Sequence, residues 1–151
     1  MAQSVDIVHP KLAELFAYWR EQAGAAAMPI ADELDVSALN RWIGNLVVID
    51  VPEPGRFVYA YYGERLEEAF RTQMVGRTPD ELPEAQRAAL QQEYEAVRSA
   101  AGAIARRYTA DFDGRLETWE RLVLPLSAGD DQVVKILVAA YRIDPPNASD
   151  F

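Results

Sequence analysis

"YYGERLEEAFRTQMVGR", Tyr61 to Arg77, follows directly on an aromatic-rich strand pattern and holds a short helical pattern between two glycines, Gly63 and Gly76. It carries no catalytic signature. Leu66, Phe70 and Met74 recur in it at i, i+4 and i+8, an apolar stripe that serves a packed core or a pocket wall equally well. Immediately upstream, "NLVVIDV", the turn signal "PEPG" and "RFVYAYYG" read as an antiparallel hairpin. Its second strand alternates Phe57, Tyr59 and Tyr61 against Val58, Ala60 and Tyr62. Downstream, "TPDELPEAQRAALQQEYEAVRSAAG" places Leu90, Tyr94, Val97 and Ala101 at helical spacing, with Glu84 near the start, Arg98 near the end and Gly102 as the stop.

Further out, Pro10 opens a helical pattern in which Leu12, Leu15, Phe16 and Trp19 form one stripe, ended by Gly24 and Pro29. "DVSALNRWIG" predicts a second, short helix with Asp35 as N-cap, Leu39, Trp42 and Ile43 inward, and Gly44 past its end. The C-terminal third is strand-like: "AIARRYTADF", the turn pair Asp113-Gly114, "RLETWERLVLPLS", the polar turn "AGDD", and "QVVKILVAAYRI". Five antiparallel strands with helices inserted after the second make an α+β domain. Val133 to Ile143 is apolar on both alternating faces, so that strand belongs at the centre, with the inserted helices on one side and the N-terminal stripe on the other.

At 151 residues the chain is the size of one domain, and no window approaches the roughly 18 to 20 continuous apolar residues of a membrane span. Membrane insertion is not expected. The start "MAQSVDIVHPK" has no basic and apolar secretion pattern, which points to a cytoplasmic protein. The absence of cysteine excludes disulfides, thiolate nucleophiles and cysteine-held metals. The net charge of −9 disfavours nucleic acid as a partner. Catalytic residues are not evident: Ser99 and Ser127 lack a placed histidine base, and the carboxylates of "GERLEEAF" read as a solvated helix face. "DFDG" at Asp111 lacks the later ligands of a calcium loop, and no metal site is expected.

The element order resembles the PAS fold, a five-stranded antiparallel sheet with inserted helices, here with an N-terminal amphipathic helix. In particular, "HPKLAELFAYWRE", "MPIADELDVSALNRWIGNLVVIDV", "FVYAYYGERLEEAFRTQMVGRTPDEL" and "VLPLSAGDDQVVKIL" resemble the alphaproteobacterial PAS family 5, including the pair Tyr18-Trp19 and the "LPLS" at Leu124 to Ser127. Arg71 stands where that pattern has a glycine. The turn-rich, polar end "DPPNASDF" is expected to leave a flexible tail over 145–151. The resemblance implies an N-terminal helical extension over residues 1–30 and a PAS-like domain over 31–144. It also implies that the segment from Tyr61 to Arg77 crosses onto the concave face of the sheet as the lid of a pocket, Gly63 permitting the exit and Gly76 a turn with positive φ. His9 is the only histidine and lies far in sequence from where a PAS haem ligand belongs. Cysteine-dependent photochemistry is absent, flavin without an adduct stays open, and the cofactor is unknown.

Pocket polarity is expected from Tyr59, Tyr61, Tyr108, Trp119, Arg121 and Tyr141, and ligand contact from Tyr59, Tyr61, Leu66, Phe70, Met74, Tyr94, Trp119 and Arg121. Alternation sets Trp119 and Arg121 on one strand face and Glu120, Leu122 and Leu124 on the other. If Arg121 points inward, its guanidinium can fork onto a small carboxylate; if outward, as exposed arginines generally do, it joins a cross-strand charge pair. Leu12, Leu15, Phe16, Tyr18 and Trp19 form a candidate interface for a homodimer or a partner. The expected role is that of a stand-alone sensory or adaptor domain in bacterial signal transduction, not an enzyme. It would bind a small molecule, a histidine kinase or another PAS protein. The alternative is a small α+β-cone enzyme or ligand-binding protein with an enclosed pocket, a layout that calls for an internal His and Asp pair.

Overall fold

Proline at the first turn and glycine after the last delimit helix α1 (Pro10–Ala23), whose end is a positive-φ Gly24 with its N–H bonded to the Arg20 carbonyl. The computed structural model describes residues 5–112 and 114–143. Asp113 of the turn pair and the tail over 145–151 therefore lie outside the described residues. Leu12, Leu15 and Trp19 are all buried, and the Trp19 indole N–H donates to the Pro125 carbonyl at 2.9 Å. These three residues belong to the same apolar core as the sheet.

Asp35 caps the next helix as expected, its Oδ1 accepting the Ser37 N–H at 3.0 Å, but the winding is 3-10 over Val36–Asn45. At three residues per turn, Leu39, Trp42 and Asn45 share a face and are buried. Ile43, expected inward from an α-helical period, is 41% exposed, and Gly44 lies within the element and not past it.

The strands are β1 (Leu46–Glu53), β2 (Arg56–Tyr62), β3 (Ile104–Phe112), β4 (Arg115–Ser127) and β5 (Val133–Ile143). Between β2 and β3 lie α2 (Glu64–Phe70), a 3-10 turn at Pro79–Glu81 and α3 (Glu84–Ala100). The sheet order is β2-β1-β5-β4-β3 with every pairing antiparallel, the α+β arrangement read from the pattern. The doubly apolar β5 takes the centre, because α1 packs on β4 and β5 from one side and α3 from the other. Among the described residues no helix is long and apolar enough to cross a membrane.

One irregularity decides which aromatics face which side. Val48 pairs with Tyr61 while Ile49 pairs with Tyr59, so Ala60 is an extra residue in β2. A bulge of this kind reverses the faces of everything beyond it. Tyr62, and not Tyr61, therefore follows Tyr59 toward the inserted helices.

Candidate ligand cavity

The chain leaves β2 at Gly63, whose N–H bonds the Leu46 carbonyl at 2.7 Å. Its φ is an ordinary −64°, so the requirement for glycine is one of space: a Cβ there would lie 2.4 Å from the Gly44 carbonyl oxygen. Helix α2 then runs for seven residues and stops at Arg71, which takes the left-handed conformation with φ 55° and bonds its N–H to the Glu67 carbonyl. A glycine is the natural occupant of such a cap, which accounts for the family pattern from which Arg71 departs. Past it the chain turns back and pairs with the outer edge of β2, Gly76 N–H to Tyr59 O at 2.7 Å and Tyr59 N–H to Arg77 O at 2.9 Å. Gly76, at φ 82°, makes the turn that permits this return.

This crossing segment, α3 and the inner face of the sheet line a half-open cavity of ≈ 690 Å³. Leu66, Phe70 and Met74 all line it, together with Leu82, Leu90 and Val47. Met74 reaches it from the loop after the left-handed cap, since α2 ends before a second full turn could carry the stripe that far.

The cavity also carries polar groups in its lining. Arg121 lines it from β4 with its side chain only 12% exposed. Its Nε donates to Glu93 Oε1 on α3 at 2.8 Å, and its Nη2 to the Tyr94 hydroxyl at 2.9 Å. The Tyr94 and Tyr59 hydroxyls lie 3.0 Å apart and share a further hydrogen bond. Arg106, opposite Arg121 across β3 and β4, donates its Nε to Glu93 Oε2. One buried carboxylate thus bridges two guanidiniums. Burial alone would raise the Glu93 carboxyl, but Arg121 and Arg106 outweigh it and hold the pKa below the ordinary value. Burial likewise works against the Arg121 charge, yet Glu93 and the surrounding phenols hold its pKa above the ordinary value. Tyr59, Tyr62 and Tyr108 are all pushed up, chiefly by burial, so their phenols are neutral at physiological pH.

Of the residues expected at a pocket, Tyr59, Leu66, Phe70, Met74, Tyr94 and Arg121 line this cavity, as does Tyr108. Arg121 is inward, contrary to the general exposure of arginine, because α3 supplies Glu93 to receive it. Tyr61 and Trp119 do not line it. Beyond the bulge, Tyr61 donates its hydroxyl to the Ile43 carbonyl at 2.9 Å. Trp119 stands behind Phe70, ring centroids 4.9 Å apart, with its indole N–H on Glu117. Tyr141 is on the other side of the sheet, stacked on His9 at 4.5 Å. Of the candidate interface residues, Leu12, Leu15 and Trp19 are occupied by the chain's own sheet, and Phe16 and Tyr18 remain half-buried.

Tyr62, Glu93 and Arg106 complete the site and were not anticipated. A signal existed for the last two: arginines directly opposite on neighbouring strands repel unless an acid joins them, and an otherwise helical run brings Glu93 beside Tyr94. On the far face, Glu120 is fully buried between Trp119 and Arg121 in sequence, and its carboxylate accepts the Val8 N–H at 2.8 Å and the His9 N–H at 2.6 Å. It anchors the start of α1 to β4.

A family model described as PAS domain matches residues 7–140. No curated protein matches the chain. Among solved structures, a light-oxygen-voltage domain studied with a flavin analogue superposes with a TM-score of 0.55 at 18% identity, over 77% of this chain and 89% of that one. VqmA of Vibrio cholerae, a LuxR-type receptor that binds DNA, gives 0.56 at 16% identity over 74% of this chain, which spans 52% of VqmA. The PAS domain of a Colwellia psychrerythraea protein gives 0.50 at 16% identity, over 71% and 92% of the two chains. At these identities the likeness is one of fold.

Proposed function

Because the chain belongs to the PAS domain family, we propose that it is a sensory module whose cavity takes up a small molecule and which passes the outcome to a signalling protein. A histidine kinase or another PAS protein is the class of partner this reading favours. PAS domains are generally sensory and not enzymatic, and the cavity agrees with that role: the single histidine, His9, stacks on Tyr141 across the sheet from it. The observation that carries the proposal is the cavity itself, ≈ 690 Å³, lined by apolar Leu66, Phe70 and Met74 and by polar Tyr59, Tyr94 and Arg121. Concave sites of about 300–1,000 Å³ with few convergent polar groups are the ordinary form of a small-molecule site. Phe16 and Tyr18, half-buried at the edge of α1, are the part of the first helix left to meet a second copy or a partner. Native mass spectrometry of freshly purified protein tests the cavity and the oligomeric state together. A retained compound lost on Leu66→Trp supports the reading. A bare mass, with no stabilisation of the parent by any compound of a small-molecule panel in thermal melts, refutes it.

A further inference from the structure

Two half-buried phenols in the cavity make no hydrogen bond among the described residues. Among the described residues neither the Tyr62 nor the Tyr108 hydroxyl has a partner, yet both side chains line the cavity and lie within electrostatic reach of Arg121. A third hydroxyl is directed by its neighbours. Tyr94 accepts from Arg121 Nη2, and the chain of bonds continues favourably when Tyr94 donates to Tyr59, which leaves the Tyr59 proton facing the cavity it lines. Arg121 itself has Nε and Nη2 engaged, so that Nη1 is the guanidinium nitrogen with no acceptor among the described residues. The polar part of the lining therefore presents donors: a guanidinium N–H and three phenol O–H groups without an acceptor among the described residues.

The charges agree with this donor set. Two guanidiniums that line the cavity, Arg106 and Arg121, share one carboxylate, Glu93, which leaves one positive charge in excess. The acids that line the cavity, Glu81 and Asp111, are exposed at its mouth with exposed Arg77. Each is also engaged locally, Glu81 by the Thr78 N–H and Asp111 by the Gly114 N–H. We propose that the cavity recognises a monocarboxylate with an apolar body, its carboxylate held by Arg121, Tyr62 and Tyr108 and its body against Leu66, Phe70 and Met74. This rests on the small-molecule reading above and names the chemical class that the site takes. A carboxylate offers acceptors to several donors at once and neutralises the surplus charge, where a neutral amide or alcohol meets fewer of the donors and none of the charge.

The test uses matched probes, benzoate against benzamide and octanoate against octanamide, titrated into the full chain by calorimetry and by amide chemical shifts. The carboxylates should bind about tenfold or more tightly than their amides, with shifts centred on Tyr62, Tyr94, Tyr108 and Arg121. Tyr62→Phe and Tyr108→Phe remove hydroxyls that no described protein group uses, so each should weaken carboxylate binding by roughly 3- to 10-fold with an unchanged melting temperature. Arg121→Gln should abolish the preference for the carboxylate. Amides that bind as well as carboxylates overturn the inference and leave the cavity reading in place, as does carboxylate binding indifferent to both phenylalanine variants. If neither class shifts any cavity residue, both fall.

Discussion

Glu93→Gln tests the charge arrangement that organises the cavity. The side chain is 4% exposed, and its two oxygens accept from Arg121 Nε at 2.8 Å and from Arg106 Nε. Glutamine keeps the shape but loses the charge, and it must offer an amide N–H to one of two arginine donors. Arg121, 12% exposed, is then left without its counter-ion. Removing one partner of a buried pair costs about 3–5 kcal/mol; retention of one acceptor and the partial exposure of Arg106 place the variant at the lower end, about 3 kcal/mol. For a domain of this size that is a fall of about 6–12 °C in melting temperature. The pH dependence has a definite sign. Since the folded Glu93 carboxyl titrates below its ordinary value, its stabilisation is fully present above the unfolded carboxyl pKa, about 4.3, and is lost as pH falls through the lower folded value. The gap between parent and variant should thus be widest near neutral pH and close on acidification. Differential scanning calorimetry from pH 7 to pH 3 measures it, with Glu95→Gln as the control. Glu95 pairs with Arg98 at the surface, and its loss should not be measurable. A Glu93→Gln protein that melts within about 1 °C of the parent at neutral pH, or a gap that grows on acidification, would refute the bridged arrangement.

Glu120→Ala removes the acceptor of two backbone N–H groups and should cost about 2–4 kcal/mol, with amide exchange accelerating first at Val8, His9 and the opening turn of α1. Gly63→Ala forces a Cβ to within 2.4 Å of a backbone carbonyl and should lower stability by about 3 kcal/mol or more in chemical denaturation. Ala101→Gly places the residue suited to a φ of 52° at the end of α3 and should raise stability by about 0.5–1 kcal/mol in the same assay.

The helices and their order were legible because their signals are local. Pro10, Gly24 and the stripe of Leu12, Leu15 and Trp19 state a helix and its inner face within a few turns of chain. β5 declared its central place by being apolar on both faces, since only a strand covered from two sides tolerates that. Leu66, Phe70 and Tyr94 were recognisable as inward for the same reason.

Other features depended on partners distant in sequence. Tertiary packing selected the 3-10 period that buries Asn45 and exposes Ile43, although ten residues of propensity are compatible with either winding. The bulge at Ala60 exchanged Tyr61 for Tyr62, and a bulge is a property of two paired strands that one strand's alternation does not carry. Which face of β4 meets α3 decided whether Arg121 would be an exposed ion-pair member or the floor of a cavity. That choice required Glu93, 28 residues away, because a guanidinium enters a low-dielectric interior only where a carboxylate is already placed to receive it. Periodicity in the sequence determined which residues turn away from water. The three-dimensional pairing of strands and charges determined which of them surround a space, and what that space can hold.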